Sequence, residues 1–239
     1  MTERQRPLLA VLIDADNIRA ADAEPVLDEI KLIGEPALRR VYGDWSNDSL
    51  SKWTGHIHRL GLVAHQTTAN TKGKNASDIG LVIDAMDILH TQNFDGFVLV
   101  SSDSDFTALA NRLREAGLMV IGIGENKTPE ALRNVCNRFI LIENLRNNDA
   151  ADQKADATSR AKSLPLNHAY QRISNAIKNI EQEEDWYNLS QIKNAITSVH
   201  SDFDQRSYGH TKFSGLVNAL SDKFETRNEG KTIFLRPRP

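Results

Sequence analysis

The chain has 239 residues, 40% of them apolar and 26% charged, a balance that is ordinary for folded domains and excludes wholesale disorder. No apolar run approaches the ~18 residues of a membrane helix, and the arginine-bearing start MTERQRP lacks the pattern of a secretory signal. The single cysteine, Cys136, excludes an internal disulfide framework and a cysteine-cluster zinc site, so a cytoplasmic protein is expected. Net charge is −3, spread unevenly: residues 1–146 hold 16 Lys and Arg against 20 Asp and Glu, and residues 147–239 hold 13 against 12. This balance does not point to nucleic acid, nor does it exclude it. Carboxylates that hold a divalent cation lower the count without repelling phosphate once the cation is bound.

In chain order, the apolar run Leu8–Ile13 reads as a strand buried on both faces and ends in Asp14-Ala15-Asp16-Asn17. A helix over Ala23–Ile33, a strand over Ala37–Tyr42, a helix over Leu50–Leu60 and a strand over Leu62–Gln66 follow. After the polar loop Thr67–Asn75, Ser77 is placed as the N-cap of a helix running to His90, apolar on most sides and so expected to lie deep. Phe94–Val100 reads as a strand ending in Ser101-Ser102-Asp103-Ser104-Asp105, and a helix over Phe106–Ala116 stops at Gly117. Leu118–Ile123 is a strand, Pro129–Cys136 a short helix and Phe139–Ile142 a last strand. Strands and helices alternating at this spacing predict an α/β domain over residues 1–146, with a mostly parallel sheet flanked by helices.

Residues 147–163, rich in Ala, Asp, Asn and Ser and without large apolar side chains, read as a linker. Beyond it, apolar periodicity resumes at Ile173, Ile177 and Ile180, at Leu189, Ile192 and Ile196, and at Phe213, Leu216, Val217 and Leu220. Two short strand signals flank Asn228-Glu229-Gly230, a hairpin turn. Three helices and a hairpin predict a small winged-helix domain over residues 164–239.

The chemistry is carried by acids at strand ends. In a parallel sheet, ligands collect beyond the carboxyl ends of the strands. If the first and fourth strands are neighbours, Asp14, Asp103 and Asp78 meet at one rim. Taken singly, each acid also fits a helix cap or turn residue. Together they repel one another unless a cation neutralises them, and hard oxygen donors with room for water suit Mg²⁺ or Mn²⁺. Such ions assist phosphodiester hydrolysis. The lone Cys136 fits a core position better than a nucleophile, and His56 and His58, two apart on a helix, make a poor metal pair.

The segments Asp14-Ala15-Asp16-Asn17, Lys74-Asn75-Ala76-Ser77-Asp78 with Asp84 beyond it, and Ser101-Ser102-Asp103-Ser104-Asp105-Phe106 resemble the three motifs of the NYN domain. This is a PIN-like family, and the chain looks most similar to its LabA-like branch over about residues 8–143. The resemblance implies a PIN-like fold and a metal-dependent ribonuclease, with Mg²⁺ or Mn²⁺ at Asp14, Asp78, Asp103 and Asp105. It gives Asn17 the task of holding Asp14 or a phosphate oxygen. Asp16 falls on a variable position, and Ser102 stands where many NYN domains have glycine. Ser101 is assigned a supporting role, as a cap, a phosphate contact or an orienter of Asp103. Lys72 and Lys74 are placed as backbone-phosphate contacts, or else as solvated loop lysines.

Further along, Asp202-Phe203-Asp204-Gln205-Arg206-Ser207-Tyr208-Gly209 with Lys212-Phe213 and Phe224-Glu225 resembles the LOTUS (OST-HTH) module over about residues 165–236. It implies a winged helix that binds RNA or docks a protein. Arg206, Tyr208 and Lys212 are the expected RNA contacts, at a helix start that favours phosphate, and Arg206, Lys212, Lys231, Arg236 and Arg238 read as a basic face with the wing or else as a solvated surface; Phe203 and Tyr208 also fit core anchors. The expected partners are RNA, a protein through the C-terminal module, and a second copy as a homodimer, with no membrane. Two other readings of the acids stay open. One is an aspartyl-phosphate phosphatase built on Asp14 and Asp16, weakened by Asn17-Ile18 after the pair. The other is a non-catalytic RNA-binding regulator that keeps the nuclease fold.

Overall fold

The computed structural model describes residues 6–67, 76–149, 163–182, 184–230 and 232–238. It divides into two compact units, Met1–Lys154 and Ala155–Pro239.

The first unit runs β1 (Leu8–Asp14), α1 (Ala23–Ile33), β2 (Glu35–Gly43), α2 (Trp53–Leu60), β3 (Val63–Gln66), α3 (Ala76–Thr91), β4 (Gly96–Val100), α4 (Thr107–Glu115), β5 (Met119–Gly124), α5 (Glu130–Val135), β6 (Arg138–Leu141) and α6 (Ile142–Asp149). Its six strands form one sheet in the order β3-β2-β1-β4-β5-β6, and every pairing is parallel. Strand order reverses between β1 and β4, the kind of switch point where loops part and leave a crevice. Alternation along β1 feeds both faces. Leu9, Val11 and Ile13 pack with Val26, Leu27 and Ile30 of α1, Trp53 of α2 and Leu145 of α6. Ala10 and Leu12 pack with Leu81 and Ala85 of α3, Leu109 and Leu113 of α4, and Leu132 of α5. The result is three layers, a helical layer on either side of a PIN-like parallel sheet.

Three details differ from the sequence expectation. α3 begins at Ala76, so Ser77 lies inside its first turn rather than at the cap. It is also less deeply buried than its composition predicts: Leu81, Ala85, Ile88 and Leu89 face the sheet, whereas Ile79 and Ile83 are exposed. A helix in an outer layer buries one stripe, whatever lies on its other side. Third, α6 carries helix to Asp149, into the expected linker, while residues 150–162 lie outside the described residues. Loops at close quarters are shaped by small residues. Gly61, at φ 61°, ends α2 in the left-handed conformation. At Gly124, a Cβ would stand 2.6 Å from the Ser101 carbonyl oxygen, so β5 approaches the end of β4 only because that side chain is absent.

The second unit runs α7 (Leu166–Asn179), β7 (Tyr187–Asn188), α8 (Leu189–Val199), α9 (Phe213–Asn218), β8 (Phe224–Glu229) and β9 (Thr232–Pro237). Its antiparallel sheet has the order β7-β9-β8 and backs onto a core of Ile173, Ile192, Ile196, Leu216, Phe224 and Leu235. This is the helix-and-hairpin plan expected, with β7 as an added short strand.

Candidate active site

The first acid is held by its own loop. Asp14 closes β1 and is 1% exposed. Its Oδ1 accepts the backbone N–H groups of Asp16 (3.1 Å) and Asn17 (3.3 Å), an Asx turn that reverses the chain directly after the strand. Its Oδ2 accepts the Asn17 side-chain amide at 2.7 Å and the Ser101 hydroxyl at 2.7 Å. Burial pushes the Asp14 carboxyl above its ordinary range, against the hydrogen bonds from Ser101 and Asn17 that favour the ionised form.

Neighbouring strands bring the second segment in. Ile13 of β1 pairs with Val100 of β4, which sets Ser101 beside Asp14. The Ser101 hydroxyl donates to Asp14 and accepts the backbone N–H of Asp103 at 3.1 Å, so one hydroxyl fixes two acids relative to each other. Asp103 then caps a short 3₁₀ turn, its Oδ1 accepting the Asp105 N–H at 2.9 Å. Ser102 accepts the Glu125 N–H at 2.9 Å and ties the same loop to the end of β5.

Asp78 arrives from the other direction, in the first turn of α3. Its pKa is pushed up to about 6, first by burial and then by the charges of Asp14, Asp103, Asp16 and Asp105. The expected carboxylates thus gather at one rim, and Asp16, exposed in the Asx turn, adds its charge to the group. Lys72 and Lys74 lie outside the described residues.

A neighbouring ion-pair cluster fixes α3. Arg40 and the Tyr42 hydroxyl of β2 both donate to Asp84, two turns along the helix from Asp78, and His65 Nδ1 lies 4.0 Å from the same carboxylate. Register partners Asp14 and Tyr42 place this cluster on the flank of the acidic rim. The strand periodicity that sets Arg40 and Tyr42 on one face is visible in the sequence; their union with Asp84 across 44 residues is not. On the far flank, Asp22 is gripped by Arg146 at 2.6 Å and Arg19 at 2.9 Å. Burial raises its pKa, but the two guanidiniums outweigh that and hold the carboxyl below its ordinary range. Cys136 is buried and its thiol is pushed up to about 12 by desolvation, which suits a core position.

In the second unit the expected contacts divide. Tyr208 is 4% exposed, its hydroxyl 2.9 Å from His168 Nδ1 and its ring against Phe203, so it anchors the core. Arg206 folds back on Asp204, with Nη2 2.6 Å from the carboxylate. Lys212 is exposed at the N-cap of α9, a helix of six residues, while Tyr208 and Gly209 belong to the preceding 3₁₀ turn, ended by Gly209 at φ 83°, so the expected helix opens at Phe213 rather than at Tyr208.

Among the described residues, no three His, Cys, Asp or Glu side chains converge as a ready-made set of direct metal ligands. The acids instead share a rim at a distance where their charges act on one another. That donor set fits a hard ion that keeps several of its waters, as Mg²⁺ does. No helix among the described residues is long and apolar enough to cross a membrane.

Comparison with known proteins gives two family matches along the chain. The model of the NYN domain matches residues 8–143, and that of the OST-HTH/LOTUS domain matches residues 166–234. The chain is 26% identical over 140 residues to the uncharacterized protein MJ0482 of Methanocaldococcus jannaschii, covering 56% of this chain and 55% of the relative. It therefore spans about half the length of that curated relative. Among solved structures, it is similar to a protein of unknown function, VPA0982, from Vibrio parahaemolyticus, with 22% identity, a TM-score of 0.49, and coverage of 59% of this chain and 96% of that one. A solution structure of an uncharacterized Nitrosomonas europaea protein is 27% identical, with a TM-score of 0.26 over 37% of this chain and 92% of that one. NYN domains are nucleases and OST-HTH/LOTUS domains bind RNA, which supports that general kind of function for this chain. With all three acidic segments on one rim of a PIN-like sheet, the chain belongs to the NYN family and carries an OST-HTH/LOTUS domain behind it.

Proposed function

We propose that the chain is a Mg²⁺- or Mn²⁺-dependent ribonuclease that hydrolyses RNA phosphodiester bonds, with its C-terminal domain as an RNA-binding or docking module. One observation carries the reading: Asp78 is held near pKa 6 by burial and by four neighbouring acids. Such a group of carboxylates is costly to keep together, and a divalent ion relieves the cost. Asp14, Asp78 and Asp103 would hold the ion directly or through its waters, with Asp105 supporting them. When bound, the ion supplies Lewis acidity and neutralises charge on the phosphate.

The protein's own groups supply the order. Asn17 and Ser101 fix the rotamer of Asp14, and Ser101 sets the distance from Asp14 to the Asp103 loop. The Arg40–Asp84–Tyr42 cluster holds α3 so that Asp78 faces the rim. In the reaction water adds to phosphorus, the bond to the leaving ribose oxygen breaks, and that oxygen takes up a proton. Asp105, exposed at the rim, would orient the water. A second reading, a regulator that binds RNA without cutting it, rests on the same fold, since a fold does not by itself establish activity.

Incubation with labelled single-stranded RNA separates the two. With Mn²⁺ the wild-type chain is expected to cleave and with chelator it is not. Asp14→Asn and Asp103→Asn are expected to lose cleavage by at least about a hundredfold, on the scale of removing a group that stabilises the transition state. Undiminished cleavage by both variants, or none by the wild type, defeats the nuclease assignment.

A further inference from the structure

The C-terminal unit presents a surface that the acidic rim does not use. Three antiparallel strands bury Phe224 and Leu235 on one face. Strand alternation puts Arg227, Phe234 and Arg236 together on the other, where Arg227 pairs in register with Phe234 and Arg236 with Glu225. Tyr187 pairs with Leu235, so Trp186, one residue earlier, comes up beside Arg236. Its backbone carbonyl accepts the Gln182 amide at 3.1 Å, which fixes where the indole leaves the chain.

On this face the indole meets two guanidiniums. Arg227 Cζ lies 4.6 Å and Arg236 Cζ 4.7 Å from the Trp186 ring centroid, and Arg227 Cζ lies 5.8 Å from that of Phe234. Unlike Phe203, buried beneath Arg172, Trp186 and Phe234 are only partly buried, and the two arginine side chains are 47% and 41% exposed. Glu229 holds Arg227 at 2.7 Å and Glu225 holds Arg236 at 2.6 Å and Arg238 at 3.5 Å. The carboxylates hold the arginines over the sheet; within this set three arginines face two glutamates, while Glu184 and Asp185 stand just ahead of Trp186 in the chain.

We infer that this face, built on Trp186, Phe234, Arg227 and Arg236, is a stacking platform for the bases of single-stranded RNA. Flat aromatic and guanidinium groups stacked on one another leave part of their planar surface open to the π-face of a base, and the arginines meet the phosphates. An acidic peptide would use the charge but leave the planar ladder without work. The inference deepens the RNA-binding part of the function proposed above and rests on it. It also moves the contact surface away from Tyr208, which is in the core, and Arg206, which is committed to Asp204.

The test is fluorescence anisotropy of a labelled mixed-sequence RNA of about 12 nucleotides, within the usual site size for one small domain, titrated with the full chain in chelator. Arg227→Gln with Arg236→Gln leaves the buried face of the sheet untouched, and Trp186→Ala is added as a second variant, with thermal unfolding to check the fold. Loss of about one stacked base predicts Kd values about tenfold or more above wild type for both variants. Wild-type affinity in the arginine variant overturns the inference, leaves the face to a protein partner, and does not touch the nuclease reading. If the wing variants lose binding while the wild-type chain cuts nothing in Mn²⁺, the platform stands and the nuclease reading falls. A wild-type chain that binds no RNA defeats the platform and the RNA-binding reading together.

Discussion

Asp78 bears the electrostatic strain of the rim. Burial and four acidic neighbours lift its pKa to about 6, above the ordinary aspartate value of 3.8 that holds in the unfolded chain. An acid raised on folding binds its proton more tightly in the folded state, so its contribution to stability falls as pH rises from about 4 to 6 and stays unfavourable above that. In the metal-free protein, Asp78→Asn is therefore expected to raise unfolding free energy at pH 7 by on the order of 1 kcal/mol, after allowing for solvent screening of a half-exposed side chain. The gain should vanish near pH 4. Urea unfolding in chelator at the two pH values reads this directly, and a destabilised variant at pH 7 would contradict it. At this scale the sequence was informative about identity and silent about partners. Asp14, Asp78 and Asp103 stand at strand and helix ends where an acid is noticeable. That one serine hydroxyl ties Asp14 to the Asp103 loop depends on the β1–β4 register, a contact across 87 residues.

Among the elements, α3 matters most, because it alone brings Asp78 to acids carried on strand ends. Its attachment to the sheet is partly apolar, through Leu81, Ala85 and Ile88, and partly ionic, through Asp84. Replacing Asp84 with Asn keeps the shape but leaves Arg40, whose side chain is 27% exposed, without its counter-charge. A cost of about 2 kcal/mol is expected, with Mn²⁺-dependent cleavage falling severalfold as Asp78 loses its setting. Denaturant midpoints together with cleavage rates check this, and a variant equal to wild type in both would show that α3 is held by its apolar stripe alone. Helix and strand identity was legible from periodicity along nearly the whole first unit. The exposure of Ile79 and Ile83 was not, because period and composition do not say how many layers cover a helix. Nor was β7, a strand of two residues that exists only because β9 is there to pair with it.

In the whole molecule, each unit has its own core: two apolar clusters line the faces of the parallel sheet, and a third fills the winged helix. The separate cores imply that either unit folds without the other. Removing residues 164–239 should then leave cleavage of a short RNA within about twofold while weakening capture of longer RNA about tenfold or more, since a tethered binding module raises local concentration. Equal affinity for long RNA in the truncated and full chains would remove the targeting role. The two-part plan was legible in the sequence from the gap in apolar residues at 147–163 and from the change of pattern beyond it. The surface of the second part was legible only in part: a basic wing with Arg236 and Arg238 and a core place for Tyr208 were read from the sequence, but Trp186 and Arg236, 50 positions apart, meet only through strand pairing.

Calorimetric titration of Mn²⁺ into the full chain at pH 7 bears most directly on whether the gathered acids await a divalent ion. Wild type should bind with a clear saturating isotherm, and Asp78→Asn and Asp103→Asn should each weaken binding about tenfold or more, as loss of a ligand or its support does elsewhere. Wild-type affinity in both variants would place the ion away from this rim, and no binding by the wild type would leave the carboxylates as a structural cluster without a cation.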